Sequence, residues 1–359
     1  MSHSATNRAI SRSSPMPNLS PTRLHLEAGL RENRWAGYTL AGYSLGHFFS
    51  LHGGSVSDPS QSVPWYSAGK PITAIGVLQI LSHNPSLTPL PMEKTFPELK
   101  QTYVGSLSLE AILTHRTGLR FPNLPLQESE KEILAILAGS QPQDFSLRPG
   151  QAAYDPRGSW WLLGQWLSRH TGQPWADFLR EHVLQHAGAS DMFFANANQY
   201  SDVPMTEKRG DKWVPVPPSY GPGGGLCGSA ADLALLYQTL LCAGTSPSSG
   251  KTLLNSSSLE KLTRRWREGE VDMTFGHVVD FGLGVILDSN RYGSTTVPYG
   301  FGTTSSEKSY GHGGARSSIA FADPENHLAL AVCLVGLVPE NIHQPRMRGL
   351  LDQLRSDLA

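Results

Sequence analysis

Ser67-Ala68-Gly69-Lys70, running on into Pro71-Ile72-Thr73-Ala74-Ile75-Gly76-Val77-Leu78, is the stretch on which the reading of this chain turns. Ile72, Ile75, Val77, Leu78, Ile80 and Leu81 form an apolar stripe, and Pro71 stands early enough to be tolerated in a first helical turn. The spacing predicts a helix that starts near Ser67. On it, Ser67 and Lys70 at i and i+3 share one face. A serine hydroxyl is a poor nucleophile until a base takes its proton, and a lysine is a base only when its amine is neutral. A helix N-terminus, burial and neighbouring cations all push a lysine pKa down. S-x-x-K by itself also arises by chance, with serine and lysine both on a solvated helix face.

Four more segments change that balance. Tyr154 lies in Gln151-Ala152-Ala153-Tyr154-Asp155-Pro156, just before a predicted helix over Ser159–His170. His312-Gly313-Gly314 follows a glycine-rich approach and precedes an apolar strand. Leu113-Thr114-His115-Arg116-Thr117-Gly118-Leu119 and Gly223-Gly224-Gly225-Leu226-Cys227-Gly228-Ser229-Ala230-Ala231-Asp232-Leu233 complete the set. Together these resemble the motifs of the serine β-lactamase and penicillin-binding-protein superfamily, over about residues 35 to 355. Within it, the H-x-G form of the third motif, here His312-Gly313-Gly314, resembles that of D-aminopeptidases and class C β-lactamase-like esterases.

The resemblance implies Ser67 as nucleophile, with Lys70 and Tyr154 sharing proton transfer. His312 would support the tyrosine and the substrate by hydrogen bonding. The amides of Ser67 and Ala315 would form an oxyanion hole, and Gly313 and Gly314 would let substrate lie against the strand. Two departures bear on substrate. Pro156 stands where the family often has asparagine, so no side-chain amide is available there. His312 replaces lysine and, being only partly charged near neutrality, would grip a carboxylate less firmly. Both favour an ester or a modified or D-amino-acid amide over a penicillin. A peptide substrate is the third small-molecule class implied. An acyltransferase built on the same acyl-enzyme, a β-lactamase or D-peptidase, and an inactive binding protein are the rival readings.

Composition narrows the partners. The 359 residues carry a net charge of −1, which points to no nucleic-acid or anionic-membrane partner. No apolar run is long enough for a membrane span. The first 26 residues hold no acid and many Ser, Asn and Pro, without the apolar core of a secretory signal. They read as a disordered leader, and the chain is expected to be cytoplasmic. Cys227, Cys242 and Cys333 show neither a disulfide framework nor zinc spacing, so buried thiols and no cofactor or metal are expected. Arg264-Arg265-Trp266-Arg267, followed by Glu268 and Glu270, reads as a solvated helix end.

Strand-like segments lie at both ends, with helices between. Gly37 to Leu51 reads as one or two strands of a hairpin, and Ser317–Ala322 with His327–Leu337 as another. Residues 86–104 read as proline-rich loop. Helices are predicted over Ser108–His115, 128–139, Ser159–His170, Trp175–His186, Ser229 to Gly244 and at the C-terminus. The expected fold is α+β: an antiparallel sheet formed from both chain ends and flanked by helices, with a mostly helical inserted subdomain. The expected division is an α/β part over 27–66 and 225–359 and a helical part over 67–224.

Three further patterns are set aside. Gly42-Tyr43-Ser44-Leu45-Gly46 matches the G-x-S-x-G nucleophile elbow. That motif needs a strand, a tight turn and a helix, and here the flanks read as strand on both sides. His182 and His186 lie at i and i+4, without the glutamate of H-E-x-x-H or a third ligand. His115 reads as structural, at a helix end where a cation or a hydrogen-bonding cap is favourable.

Overall fold

The computed structural model describes residues 18–293 and 300–359. Its main sheet has six antiparallel strands: β1 (Gly37–Ser44), β2 (His47–Gly54), β3 (Ile286–Leu287), β4 (Tyr310–Gly314), β5 (Ser318–Asp323) and β6 (Leu328–Val335), in the order β3-β4-β5-β6-β1-β2. The last strand of the chain thus pairs with the first, Leu40 opposite Val332, which brings both chain ends into one sheet. The expected α+β architecture is the one observed.

β6 is buried along its whole length, and its two faces carry different sizes of side chain. Leu328, Leu330, Val332 and Leu334 join the core beneath α1 (Ser20–Arg31) and the C-terminal helix α5 (Glu340–Leu358). Ala329, Ala331, Cys333 and Val335 belong to the larger core on the other face, where α4 (Ala230–Leu241) packs. Small side chains on that face let a helix axis approach the sheet closely. Ser229 caps α4 by accepting from the Asp232 amide at 3.1 Å, as its sequence position predicts.

Between β2 and β3 the chain is mostly helical. α2 (Lys70–His83) is buried on nearly every side, as is α3 (Gly158–Thr171), which Gly172 ends in the left-handed region at φ +74°. Residues 85–106 form a series of short 3-10 turns. No helix among the described residues is long and apolar enough to cross a membrane.

Several expectations change. α1 begins at Ser20, inside the segment read as a leader. Leu26 is buried, and Thr22 donates from its amide and hydroxyl to Asp357 at 2.8 and 2.6 Å. Residues 1–17 lie outside the described residues. The G-x-S-x-G match is a hairpin: Ser44 pairs with His47 across Leu45 and Gly46, at φ +51° and +83°. Cys242 is exposed, because α4 ends just before it, while Cys227 and Cys333 are buried.

The arginine run is not a solvated helix end. Arg267 is fully buried and bonds Asp272 at 3.0 Å, with further bonds to the carbonyls of Thr114 (3.1 Å) and Val279. The helix stops at Thr263, and the extended chain beyond it turns Arg267 inward. Removing one partner of a fully buried ion pair strands the other charge. Arg267→Ala is therefore expected to destabilise the fold by about 3–5 kcal/mol in urea denaturation, and removing Asp272 as well should recover part of that loss. A loss below about 1 kcal/mol in the single variant would show that Asp272 finds other partners.

Candidate active site

The Ser67 segment is held from two sides before its own helix starts. Val63–Pro64 pairs with Leu226–Gly228, and Trp65 donates its amide to Leu226 at 2.9 Å and its indole N–H to Gly228 at 3.0 Å. On the other side Ser318 of β5 donates to the Trp65 carbonyl at 3.0 Å. Ser67 then sits in a 3-10 turn, Tyr66–Gly69, and α2 starts only at Lys70. The serine therefore precedes the α-helix rather than opening it. The turn still places Ser67 and Lys70 side by side.

Lys70 is completely buried, and its Nζ has three oxygen neighbours. They are the Gly223 carbonyl at 2.6 Å, the Pro156 carbonyl at 3.1 Å and Ser67 Oγ at 3.1 Å. The Trp160 and Tyr154 rings lie 5.1 and 5.4 Å away. Burial, followed by the pull of Asp155 upward and the push of Arg157 downward, brings the Lys70 pKa down to about 7. A neutral amine has two N–H donors and one lone pair. Here the two carbonyls take the donors and leave the lone pair for the Ser67 hydroxyl.

Tyr154 donates its hydroxyl to the same Ser67 Oγ at 2.8 Å. Burial pushes its pKa well above the usual phenol value, against the smaller lowering by the Ser67 hydrogen bond. The tyrosine is thus protonated in the resting protein. Its backbone is clamped: the amide donates to Asp272 at 3.0 Å, and its carbonyl accepts from Thr274 at 2.8 Å. Its ring lies between Phe275 (4.8 Å between centroids) and His115 (4.7 Å).

His115 is fully buried at φ +56°, and its Nδ1 accepts from the Asp155 amide at 3.1 Å. Burial, then Arg267, Lys70 and His312, hold its pKa well below the ordinary histidine value. It is a neutral prop under Tyr154 and not a helix-end cation. Asp155 accepts from the amides of Phe121, Arg157, Gly158 and Ser159, which fixes the start of α3 next to the tyrosine.

His312 on β4 is buried, and its Nδ1 lies 2.7 Å from the Gly313 carbonyl. Burial and Lys70 lower its pKa to about 3, so it is neutral near pH 7, not partly charged. Its ring lies 5.8 Å from that of Tyr154, but no hydrogen bond joins the two, and Nε2 has no partner among the described residues. Gly313, Gly314 and Ala315 line the same cavity as Ser67 and Tyr154. Neither the Ser67 nor the Ala315 amide donates to another described residue. His182 and His186 stand elsewhere with rings 5.7 Å apart, and no cluster of three metal-ligating side chains occurs among the described residues.

Residue-by-residue reading missed the Gly223 and Pro156 carbonyls, because backbone acceptors leave no side-chain signature. The glycine run at 223–225 was the available signal: a Cβ on Gly223 would lie 2.6 Å from Trp160 Cβ and 3.1 Å from Lys70 Nζ. The Arg267–Asp272 clamp and the contribution of Glu340, His343 and Met347 from α5 to the cavity had no local signal at all.

A serine bonded at once to a buried lysine and a buried tyrosine, beside the glycine-rich strand β4, is an arrangement suited to acyl transfer, and the chain is a serine hydrolase. The chain belongs to the β-lactamase family, whose model matches residues 31–352. Its fold is similar to that of a penicillin-binding-protein homologue from Caulobacter crescentus, with a TM-score of 0.73, 19% identity, and 96% of this chain and 99% of that one covered. It is also similar to a family VIII carboxylesterase (TM-score 0.71, 18% identity, 95% and 99% covered). A mutant of simvastatin synthase from Aspergillus terreus matches with a TM-score of 0.69, 17% identity and 94% of each chain covered. No curated protein matches the sequence.

The two glycines after His312 differ in what surrounds them. A Cβ on Gly314 would meet Ser318 Oγ at 2.1 Å and the Trp65 carbonyl at 2.3 Å, whereas one on Gly313 would meet only a carbonyl at 3.8 Å. Gly314→Ala is expected to cost about 1–3 kcal/mol of stability through overpacking, while Gly313→Ala should melt like the parent. Thermal unfolding of the two variants checks this, and equal losses would contradict it.

Proposed function

We propose that the protein is a serine esterase that works through an acyl-enzyme on Ser67. The observation that carries this reading is the pair of hydrogen bonds at Ser67 Oγ, one with Lys70 Nζ at 3.1 Å and one from Tyr154 at 2.8 Å. Lys70 is the general base. Its lowered pKa leaves a large neutral fraction near pH 7, and its lone pair faces the serine hydroxyl. The serine proton moves to Lys70 as Oγ bonds the substrate carbonyl carbon. The Ser67 and Ala315 amides hold the oxyanion. The carbon–oxygen bond to the alcohol then breaks. Tyr154 gives its proton to the leaving oxygen and regains one from the Lys70 ammonium. Water repeats the cycle on the acyl-enzyme and releases the acid.

Two features favour an ester over a β-lactam. Pro156 offers no side-chain amide for an acylamino group, and its carbonyl is occupied by Lys70. His312 is neutral where a cation would attract the β-lactam carboxylate. Each missing contact to a polar or charged group costs about 1–3 kcal/mol. A chromogenic cephalosporin should therefore be turned over roughly two to three powers of ten more slowly than a nitrophenyl ester, in kcat/KM. Equal or faster cephalosporin turnover would overturn the ester assignment.

Ser67→Ala should abolish ester turnover while the protein still folds, and mass spectrometry of the parent should find the acyl adduct on Ser67. The pH profile tests the base. The reactive form is the neutral amine, so activity should be low in acid, rise through a midpoint near pH 7 and level off above it. A midpoint near 10 would mean that Lys70 keeps an ordinary pKa and cannot be the base at neutrality.

A further inference from the structure

Ser67 lies where two cavities of unlike chemistry meet, and Pro156 and Ala315 line both. The first, about 170 Å³, is walled largely by apolar groups, among them Phe275, Ile286, Phe301, Ile319 and Met347. The second, about 480 Å³, is wider and carries Arg157 and Arg316. Among the described residues neither guanidinium has a carboxylate or any other hydrogen-bond partner. Among the described residues the one carboxylate lining that cavity, Glu207, is bonded to Arg209 at 3.3 Å.

Both arginines are fixed at the backbone. The Arg157 amide donates to Asp155 at 3.1 Å at the start of α3. Arg316 stands at φ +53° in the turn between β4 and β5, and its carbonyl accepts from the Arg346 guanidinium of α5 at 2.9 Å. Two cations are thus held at one cavity beside Ser67 in a chain of net charge −1, and among the described residues no carboxylate bonds either guanidinium.

We infer that Arg157 and Arg316 form an anion-recognition site for the acyl half of the substrate. The substrate class is then an ester of a compact apolar alcohol with an acid that bears a second anionic group, carboxylate or phosphate. This rests on the esterase reading above, which also sets the orientation. The proton donor to the leaving oxygen must touch the leaving group. Tyr154 lines the compact cavity and not the wide one, so the alcohol occupies the compact cavity and the acyl chain extends towards the arginines. A guanidinium binds carboxylate and phosphate through paired N–H donors, which makes arginine suited to this task.

The test compares 4-nitrophenyl hemiglutarate, whose acyl chain ends in a carboxylate, with neutral 4-nitrophenyl pentanoate. The parent protein should favour the anionic ester by about ten- to a hundredfold in kcat/KM, chiefly through a lower KM, as charged hydrogen bonds of ordinary strength imply. Salt at 0.5 M should compress that preference. Arg157→Gln and Arg316→Gln should each reduce the ratio, and the pair of changes should bring it close to one. Arg157→Lys and Arg316→Lys keep the charge and should retain part of it, which provides a check should the glutamine variants fold poorly. The mono-4-nitrophenyl ester of a phosphonate-terminated acid, run alongside, distinguishes carboxylate from phosphate selectivity, and a preference for either over pentanoate supports the site. No preference in the parent, or one that survives in the double variant, overturns the inference. If pentanoate is cleaved through Ser67 with no anion preference, only this inference falls. If Ser67→Ala leaves pentanoate cleavage intact, the esterase reading itself falls.

Discussion

The burial of Lys70 is the constraint on which the rest of the site depends. An ammonium group buried with only carbonyl and hydroxyl neighbours is strongly disfavoured, and the protein answers by making the neutral amine accessible. The neutral form matches its surroundings, two carbonyl acceptors for two N–H donors and a lone pair turned to Ser67. One carbonyl comes from the segment after Tyr154 and the other from the glycine run before Leu226. The lysine is thus where three distant parts of the chain meet, and the reactivity proposed for Ser67 is a property of that meeting.

Tyr154 shows the same principle at one remove. It carries a hydroxyl to Ser67, but what holds it is a buried ion pair. Asp272 accepts the Tyr154 amide and is itself bonded to Arg267. His115 and Phe275 close on the two sides of the ring. A buried charge pair is weak evidence for net stability, since desolvation offsets attraction. Here it has an evident use, fixing a backbone amide whose displacement would move the hydroxyl away from the serine.

The departures from the family pattern take on a consistent meaning once the cavities are considered. Proline at 156 turns a side-chain contact into a backbone one, and a neutral His312 withdraws positive charge from the strand edge. Positive charge stands instead at Arg157 and Arg316, which line the wide cavity at Ser67 and not the apolar one. The distribution of charge around Ser67 is therefore asymmetric, and that asymmetry is what a two-part substrate would experience.

The sequence by itself determined the α+β layout, the hairpins, the capped helices and the candidates Ser67, Lys70, Tyr154 and His312, because strand alternation, caps and short motifs are local signals. The helix start at Ser229, before α4, was legible for that reason. Protonation states were not legible, since they follow from desolvation and from charges far apart in the chain. The high pKa of Tyr154 and the low ones of Lys70 and His312 became visible only once the core had closed around them. Arg267 was misread from its charged neighbours for the same reason: whether an arginine faces water depends on where Asp272, Thr114 and Val279 lie. Only the tertiary structure decided that α1 extends into the expected leader and that α5 reaches the cavity beside Ser67. Those contacts join residues more than three hundred positions apart in the first case and about two hundred and seventy in the second, and no periodicity along the chain records them.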